Sequence, residues 1–155
     1  MEQTIFLDTS YILALILKDD AFNNKAKIIS EFLETGTINV ITTELILIEI
    51  ADSLAKIKVR HKCTPIITKL RATTNVIKIN DENIVEAWNL FDKRTDKEWG
   101  FTDCYSFVVM EKLRIKQALT TDKHFEQAGF EILLKQYPVL LELQRKGICK
   151  SMPLN

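Results

Sequence analysis

Four acidic residues occupy positions at which a carboxylate could do chemistry: Asp8, Glu49, Asp103 and Asp122. Asp8 and Asp122 each follow a short apolar run, Asp103 precedes an apolar helical stretch, and the fourth acid interrupts another. Clustered carboxylates repel one another, and a fold keeps them close when a hard cation neutralises them. Because Mg2+ and Mn2+ prefer oxygen ligands, the four acids together indicate a site for one of these ions.

Each acid taken singly also has an ordinary structural explanation. Asp8 and Asp122 are suitable helix N-caps, and Asp103 suits a first helical turn, where the helix dipole favours an acid. Periodicity alone favours a solvated helix face for Glu49. The other polar residues of that face would be Asp52, Ser53 and Lys56. The structural and the chemical explanation of each acid therefore stay open at this point.

The remaining reactive residues support no other chemistry as strongly as the acids support metal binding. His61 and His124 are isolated and no Cys-x-x-Cys pair exists, so nothing supports zinc. We interpret each histidine as a surface or packing residue. Cys104 is a candidate nucleophile beside Asp103, but its place at the start of an apolar helix favours a buried thiol. Gly-rich phosphate loops and a Gly-x-Ser-x-Gly elbow are absent.

Strands that alternate with helices would position the four acids. Short apolar runs predict strands at residues 4–7, 38–41, 75–79, 117–120 and 131–134. Periodicity and capping residues predict a helix after Pro65 and others at residues 11–18, 21–34, 44–58, 81–91, 102–113 and 137–146. The alternation predicts an α/β fold with a parallel central β-sheet flanked by helices on both faces. Ligands of such sheets bind outside the carboxyl ends of the strands, where Asp8 and Asp122 stand.

The composition is that of one globular domain spanning residues 1–155, with the last ~8 residues as a frayed tail. Hydrophobic residues make up 46% and charged residues 27% of the chain, close to the globular average. No apolar run approaches the ~18 residues that span a bilayer, and the N-terminus lacks the basic region of a signal peptide. Three cysteines that lie far apart argue against a disulfide framework. We therefore expect a cytoplasmic protein that does not bind a membrane.

The net charge of zero conceals a strong segregation of charge along the chain. The 21 Lys and Arg residues balance 21 Asp and Glu residues, which argues at first against nucleic-acid binding through bulk electrostatics. Residues 53–80, however, hold seven Lys or Arg residues and no acid. This segment is either a solvated helix face or a positive rim that could hold a polyanion beside the acidic site. The candidate RNA-binding residues within it are Arg60, Lys62 and Arg71.

Four short motifs surround the four acids. They are residues 6–11 (Phe-Leu-Asp-Thr-Ser-Tyr), 41–50, 101–107 (Phe-Thr-Asp-Cys-Tyr-Ser-Phe) and 119–130. The last is the most specific, because an Asp, a His-Phe pair and a Gly-Phe pair occur in it in order. With these motifs the sequence resembles the PIN-domain ribonucleases, most closely the VapC-like toxins of bacterial and archaeal toxin–antitoxin pairs. The resemblance covers nearly the whole chain, from Ile5 to Leu134.

The resemblance implies a PIN-like fold and a metal-dependent endoribonuclease that hydrolyses RNA phosphodiester bonds with Mg2+ or Mn2+. The four acids would hold the ion directly or through water. The hydroxyls that orient these carboxylates would come from Thr9, Ser10 and Thr102. The second motif places the family's acid at Glu49, although the helix register leaves Glu44 and Asp52 as alternatives.

The resemblance also implies protein partners, namely a second copy of the chain in a homodimer and a small cognate antitoxin that covers the active site. The apolar helices near residues 11–17 and 137–143 would serve such contacts or, alternatively, pack in the core. Two other classes of function stay open. One is a non-catalytic RNA- or protein-binding module on the same fold. The other is an aspartate-based phospho-receiver or phosphatase domain, which also gathers Asp residues at strand ends.

Overall fold

A parallel sheet of five strands forms the centre of the computed structural model, which describes residues 3–36 and 38–135. In chain order the strands are β1 (Gln3–Leu7), β2 (Ile38–Thr43), β3 (Asn75–Ile77), β4 (Gln117–Leu119) and β5 (Glu131–Ile132). Every pair of neighbouring strands is parallel. The five predicted strands and their parallel arrangement are thus confirmed.

Both faces of the sheet are covered by other elements. Successive residues of a strand point to opposite faces, and Ile5, Phe6 and Leu7 of β1 are all buried. A strand that is buried on both faces has a continuous apolar run instead of an alternating pattern. The predicted α/β fold, with helices on both faces of the sheet, is confirmed.

The helices in the described part of the chain occupy the connections between the strands. They are α1 (Thr9–Ile16), α2 (Asn23–Leu33), α3 (Glu44–Ser53), α4 (Ile57–Arg60), α5 (Cys63–Thr73), α6 (Asp81–Lys93), α7 (Phe101–Lys112) and α8 (Lys123–Gln127). None of these helices is long and apolar enough to cross a membrane. Gly36 follows α2 with a φ of +72°, a left-handed conformation that glycine adopts without steric cost at a helix end.

The predicted helix at residues 44–58 is too long, because α3 ends at Ser53. From Lys56 to Arg60 basic and apolar residues alternate, and a period of two gives a long helix no apolar face to bury. Ile57 is accordingly 92% exposed. The sequence did not predict helix α8, because its five residues are too few to show helical periodicity. The predicted helix at residues 137–146 and the predicted tail lie outside the described residues.

The strand order β3-β2-β1-β4-β5 places a topological switch point between β1 and β4. The chain builds outwards from β1 through β2 and β3, and then returns to build β4 and β5 on the other side. Such a point opens a crevice at the carboxyl edge of the sheet. The backbone N–H of Asp8 donates to the carbonyl of Leu119 (3.2 Å), which fixes the end of β1 beside the end of β4. Flavodoxin-like receivers have the order 2-1-3-4-5, so this topology excludes the phospho-receiver alternative.

Aromatic side chains join helices α7 and α8 to strand β1. Phe107 of α7 contacts Phe125 of α8 with ring centroids 5.0 Å apart, and it contacts Phe130 at 5.6 Å. Phe125 also contacts Phe6 of β1 at 6.1 Å. The His-Phe and Gly-Phe pairs of the fourth motif therefore contribute their phenylalanines to the core. This packing holds the start of α8 and the end of β1 in a fixed relation to α7.

Candidate functional site

Asp8 lies at the carboxyl end of β1 and caps helix α1. Three donors reach its Oδ2: the Ser10 hydroxyl (2.8 Å), the Ser10 backbone N–H (3.2 Å) and the Thr120 hydroxyl (2.6 Å). Burial raises the pKa of Asp8, although these hydrogen bonds oppose the effect. Oδ1 receives no hydrogen bond from the described residues and is therefore available to a ligand.

Thr120 connects the ends of β1 and β4 through its hydroxyl. The residue is fully buried, and its Oγ1 donates to Asp8 and accepts the backbone N–H of Asp122 (2.9 Å). The Ser10 hydroxyl lies 2.9 Å from the same oxygen. Sequence reasoning missed Thr120, since a threonine at the end of an apolar strand has no distinctive periodicity.

We expect Thr120→Val to destabilise the protein by about 1–3 kcal/mol, because the buried groups of Asp8 and Asp122 lose a partner. Thr120→Ser is the matched control, since it keeps the hydroxyl and loses only a methyl group, about 0.8 kcal/mol. Urea unfolding followed by circular dichroism measures both variants. Equal stability of the valine variant and the wild type would contradict this role of the hydroxyl.

Glu49 faces the same edge of the sheet from helix α3. The Thr9 hydroxyl donates to its Oε2. Burial raises the pKa of Glu49, and the charges of Asp8, Asp103 and Asp122 raise it further. The prediction from periodicity that Glu49 lies on a solvated helix face is therefore wrong, because the turn of α3 that carries this residue packs over the start of α1.

The two acids that competed with Glu49 lie elsewhere. Glu44 accepts from the Lys78 ammonium (2.9 Å) and from the backbone N–H of Ile79 (3.3 Å), and these contacts lower its pKa. Asp52 is exposed one turn further along α3. The geometry therefore favours Glu49 as the acid of the second motif.

Asp103, Asp122 and His124 form the tightest group of the site. One oxygen or ring nitrogen from each lies within 4.8 Å of the others. The Nδ1 atom of His124 is 3.0 Å from Oδ2 of Asp103 and 3.4 Å from Oδ1 of Asp122. The Gly100 backbone N–H also donates to Oδ2 of Asp103 (3.0 Å). The interpretation of His124 as an isolated residue is wrong, because the first turn of α8 returns its imidazole to the acids.

Among the described residues, no lysine or arginine forms an ion pair with the acids at this edge. Within residues 3–36 and 38–135, His124 is the one basic side chain in an ion pair with any of the four acids. Burial raises the pKa of Asp103, and the charge of Asp122 adds to this effect. Buried carboxylates need a cation or a proton. Their oxygens fit a hard divalent ion such as Mg2+ or Mn2+.

Comparison with known protein families identifies the fold and the motifs together. The family model of the PIN domain matches residues 5–131, which is most of the chain. The chain belongs to the PIN-domain family. A search of curated proteins gives no significant match.

Solved structures show that this PIN domain is VapC-like. Mycobacterium tuberculosis VapC20, a sarcin-ricin loop cleaving toxin, is 28% identical with a TM-score of 0.71, and the match covers 81% of this chain and 95% of that chain. VapBC-1 from nontypeable Haemophilus influenzae is 17% identical with a TM-score of 0.60, over 84% of this chain and 96% of that chain. PAE2754 from Pyrobaculum aerophilum is 15% identical with a TM-score of 0.61, over 94% and 98%. The last two likenesses show the fold alone.

Two of the three hydroxyl residues that were expected to orient the acids of the PIN domain contact them directly. Thr9 donates to Glu49, and Ser10 donates to Asp8. Thr102 instead contributes its carbonyl, which accepts a side-chain hydrogen bond from one turn further along α7 (2.8 Å). The effect of these hydroxyls on a bound ion stays a prediction.

Acids from other elements neutralise part of the basic segment of the PIN domain. Lys69 pairs with Glu34 (2.8 Å), and Lys78 pairs with Glu44 (2.9 Å). Arg71 lies 3.8 Å from Glu44 and is about half exposed. The segment is therefore less positive in the fold than its sequence suggests, and Arg71 is the candidate most affected.

The other two candidate RNA-binding residues lie toward the far end of α1. The Lys62 ammonium donates to the carbonyl of Ile16, the last residue of α1 (3.5 Å), and Arg60 is exposed on α4. Eight helical residues span about 12 Å, so Lys62 lies roughly that far from the acid end of α1. A bound polyanion would have to extend along α1 to reach both the acid site and Lys62. The role of Arg60 and Lys62 in RNA binding stays a prediction.

Cys104 is not a nucleophile in this arrangement. Its side chain is fully buried, and burial together with the charge of Asp103 raises the pKa of the thiol to about 11. A thiol of this pKa is protonated at neutral pH, and the thiolate is the reactive form. The interpretation of Cys104 as a buried thiol is confirmed.

Proposed function

We propose that this PIN domain is a metal-dependent endoribonuclease that uses Mg2+ or Mn2+, and that it is the toxin of a toxin–antitoxin pair. The observation that carries the proposal is the gathering of four carboxylates at the switch point, where no lysine or arginine of the described residues pairs with them. The similarity to VapC20, a sarcin-ricin loop cleaving toxin, supports the same class of reaction.

The four acids would hold the ion, directly or through water. When bound, a divalent ion lowers the pKa of a water molecule and offsets the charge that develops on the phosphate. Asp103 and Asp122 offer oxygens from two different elements that lie within 4.8 Å of one another, and Asp8 offers its Oδ1. Glu49 completes the ring of acids from the side of α3.

The hydroxyl residues keep these oxygens in place before the substrate arrives. Ser10 and Thr120 together fix the orientation of Asp8, and Thr9 fixes Glu49. Partners of this kind are important because their removal typically costs 10- to 100-fold in metal affinity or activity, by rough measure. The site is thus preorganised by hydroxyl contacts from the start of α1 and from the residue that follows β4.

Cleavage of total RNA in the presence of Mg2+, Mn2+ or EDTA tests the proposal. A sarcin-ricin loop oligonucleotide belongs among the substrates, because VapC20 is a toxin that cleaves this loop. We expect discrete cleavage with a divalent ion and none with EDTA, and end mapping would define the cleaved bond. Metal-independent RNA binding without cleavage of any RNA would favour a binding module instead.

We also propose that a small antitoxin neutralises this protein. The proposal rests on the likeness to VapC20 and to the VapBC-1 structure. A short reading frame directly upstream of this gene is the expected observation. Its product, when purified with the PIN domain, should bind it and suppress RNA cleavage. Full cleavage in the presence of an excess of that product would contradict the proposal.

Helix α6 carries the surface that we propose for the homodimer. The predicted contact region near residues 11–17 packs largely in the core, where Tyr11 and Ile12 are buried. In contrast, Val85, Trp88 and Phe91 of α6 are 58%, 49% and 41% exposed and form one apolar strip. Exposed strips of this kind are typical of interfaces.

We expect Val85→Lys to convert the dimer to a monomer, because burying an unpaired charge in an interface costs several kcal/mol. Asn24→Lys is the matched control, since it adds the same charge at an exposed position of α2. Sedimentation equilibrium of the wild type and both variants measures the effect. A dimer that survives Val85→Lys would place the interface on another surface.

A further inference from the structure

His124 lies in the acid site but has no role in the proposed mechanism. Its side chain is 19% exposed and lies against two carboxylates that come from different elements, Asp103 of α7 and Asp122 before α8. A histidine in such a place is either an ion-pair partner that neutralises the acids or a third ligand of the same ion.

The distances match those between ligands that share one ion. Divalent ions of this size bind oxygen at about 2.0–2.1 Å, so neighbouring ligands of an octahedral ion are about 3 Å apart. Nδ1 of His124 lies 3.0 Å from Oδ2 of Asp103 and 3.4 Å from Oδ1 of Asp122. All three ligand atoms lie within 4.8 Å of one another. One nitrogen and two oxygens are therefore already gathered at one place.

The first turn of α8 fixes the imidazole in this place. The backbone N–H of His124 donates to Oδ1 of Asp122 (2.8 Å), which caps the helix. The next residue, Phe125, is fully buried and packs against Phe107 of α7. The backbone that carries the imidazole is therefore held between α7 and the end of β4 by the core of the domain.

We propose that Nδ1 of His124 is a ligand of the ion held by Asp103 and Asp122, and that the site consequently prefers a first-row transition ion to Mg2+. The proposal deepens the proposed function, because it assumes the same ion site. Carboxylate and water ligands suit Mg2+, whereas an imidazole nitrogen adds affinity for Mn2+ and the later ions of its row. A ligating imidazole is neutral and carries its proton on Nε2, so that the lone pair of Nδ1 is free to bind the ion.

Mn2+ bound to the tag-free full chain gives a direct test by electron spin echo envelope modulation. An imidazole nitrogen bonded to Mn2+ produces a 14N coupling, and the chain has only two histidines, His61 and His124. We expect the coupling in the wild type, its loss in His124→Gln and its retention in His61→Gln. If a variant fails to fold, the presence or absence of the 14N coupling in the wild type still tests the proposal.

Dissociation constants for Mn2+ and Mg2+ give an independent measure of the preference. We expect His124→Gln to weaken Mn2+ binding by at least about tenfold and to weaken Mg2+ binding by a smaller factor. An absent 14N coupling in wild-type protein with Mn2+ bound, or no Mn2+ binding at all, overturns the proposal. Cleavage of RNA without the coupling would leave the proposed function standing, whereas the coupling without any cleavage would overturn the function and leave the ligand assignment.

Discussion

Asparagine in place of Asp8 or Asp103 should abolish the divalent-ion-dependent RNA cleavage of this PIN domain. Each change removes an anionic oxygen donor and keeps the size of the side chain. We expect a loss of more than about 100-fold, because even residues that only orient metal ligands account for 10- to 100-fold. The rate of cleavage of an end-labelled RNA at saturating Mn2+ measures the effect.

Two acids outside the site provide matched controls for this result. Asp52→Asn changes an exposed acid one turn from Glu49, and Glu44→Gln changes an acid that pairs with Lys78. Both variants should cleave at the wild-type rate, with a circular dichroism spectrum that shows an intact fold in every case. Wild-type cleavage by Asp8→Asn or Asp103→Asn, from a preparation free of contaminating ribonuclease, would sink the proposed function.

The sequence was sufficient to predict the strands and the edge of the sheet at which the acids meet. Short apolar runs are visible directly in the sequence, and Asp8 and Asp122 lie at or just after the ends of such runs. Parallel strands bring residues in these positions to one edge, whatever the order of the strands. The resemblance to the family motifs identified Glu49 as a site residue, whereas periodicity alone placed it on a solvated helix face. A motif specifies the position of the acid in the sequence, but helical periodicity specifies only which face of the helix it occupies.

The features that the sequence did not predict depend on contacts between distant residues. The position of His124 against Asp103 follows from the packing of α7 on α8, which joins residues 21 positions apart. The role of Thr120 follows from the pairing of β1 with β4, which joins it to Asp8 across 112 positions. Neither contact leaves a periodic signal. Short elements such as α8 are equally invisible, because five residues complete little more than one turn.

The zero net charge of the chain is another property whose meaning depends on which residues the fold brings together. It argued at first against a nucleic-acid partner, but the fold gathers acids at one edge and pairs several of the bases with other acids. The property that decides the chemistry is the local excess of negative charge at the switch point. A bound divalent ion would reverse part of that excess, since such an ion is often the largest local charge in a site.

Without a divalent ion, the PIN domain should become less stable as the pH rises above the ordinary carboxyl values. Burial raises the pKa of Asp8, Glu49 and Asp103 above their ordinary values of 3.8, 4.5 and 3.8. The folded protein then binds more protons than the unfolded chain, so stability falls as the pH rises. The favourable contribution is fully present below the ordinary values and is lost as the pH passes through the raised ones.

Other acids shift in the opposite direction but act in a different range of pH. Glu44, Glu82 and Asp96 have a lowered pKa because each accepts a hydrogen bond from a basic side chain. Their contribution is present above the ordinary carboxyl values and is lost only as the pH falls below them. Above about pH 5 their contribution is constant, and so the buried acids are the carboxyl groups that contribute to the slope.

Thermal unfolding of the chelated protein at several pH values measures this slope, and two comparisons identify its source. Asp8→Asn should raise the melting temperature relative to the wild type at pH 7.5 and change it less at pH 5, because it removes a buried charge. An ion that binds the folded state adds about 2.7 kcal/mol at 100 times its dissociation constant, so Mn2+ should stabilise the wild type most at the higher pH. If chelated protein were equally stable at pH 5 and pH 8, and Asp8→Asn had no effect at either, these acids would not carry the uncompensated charge that a metal site requires.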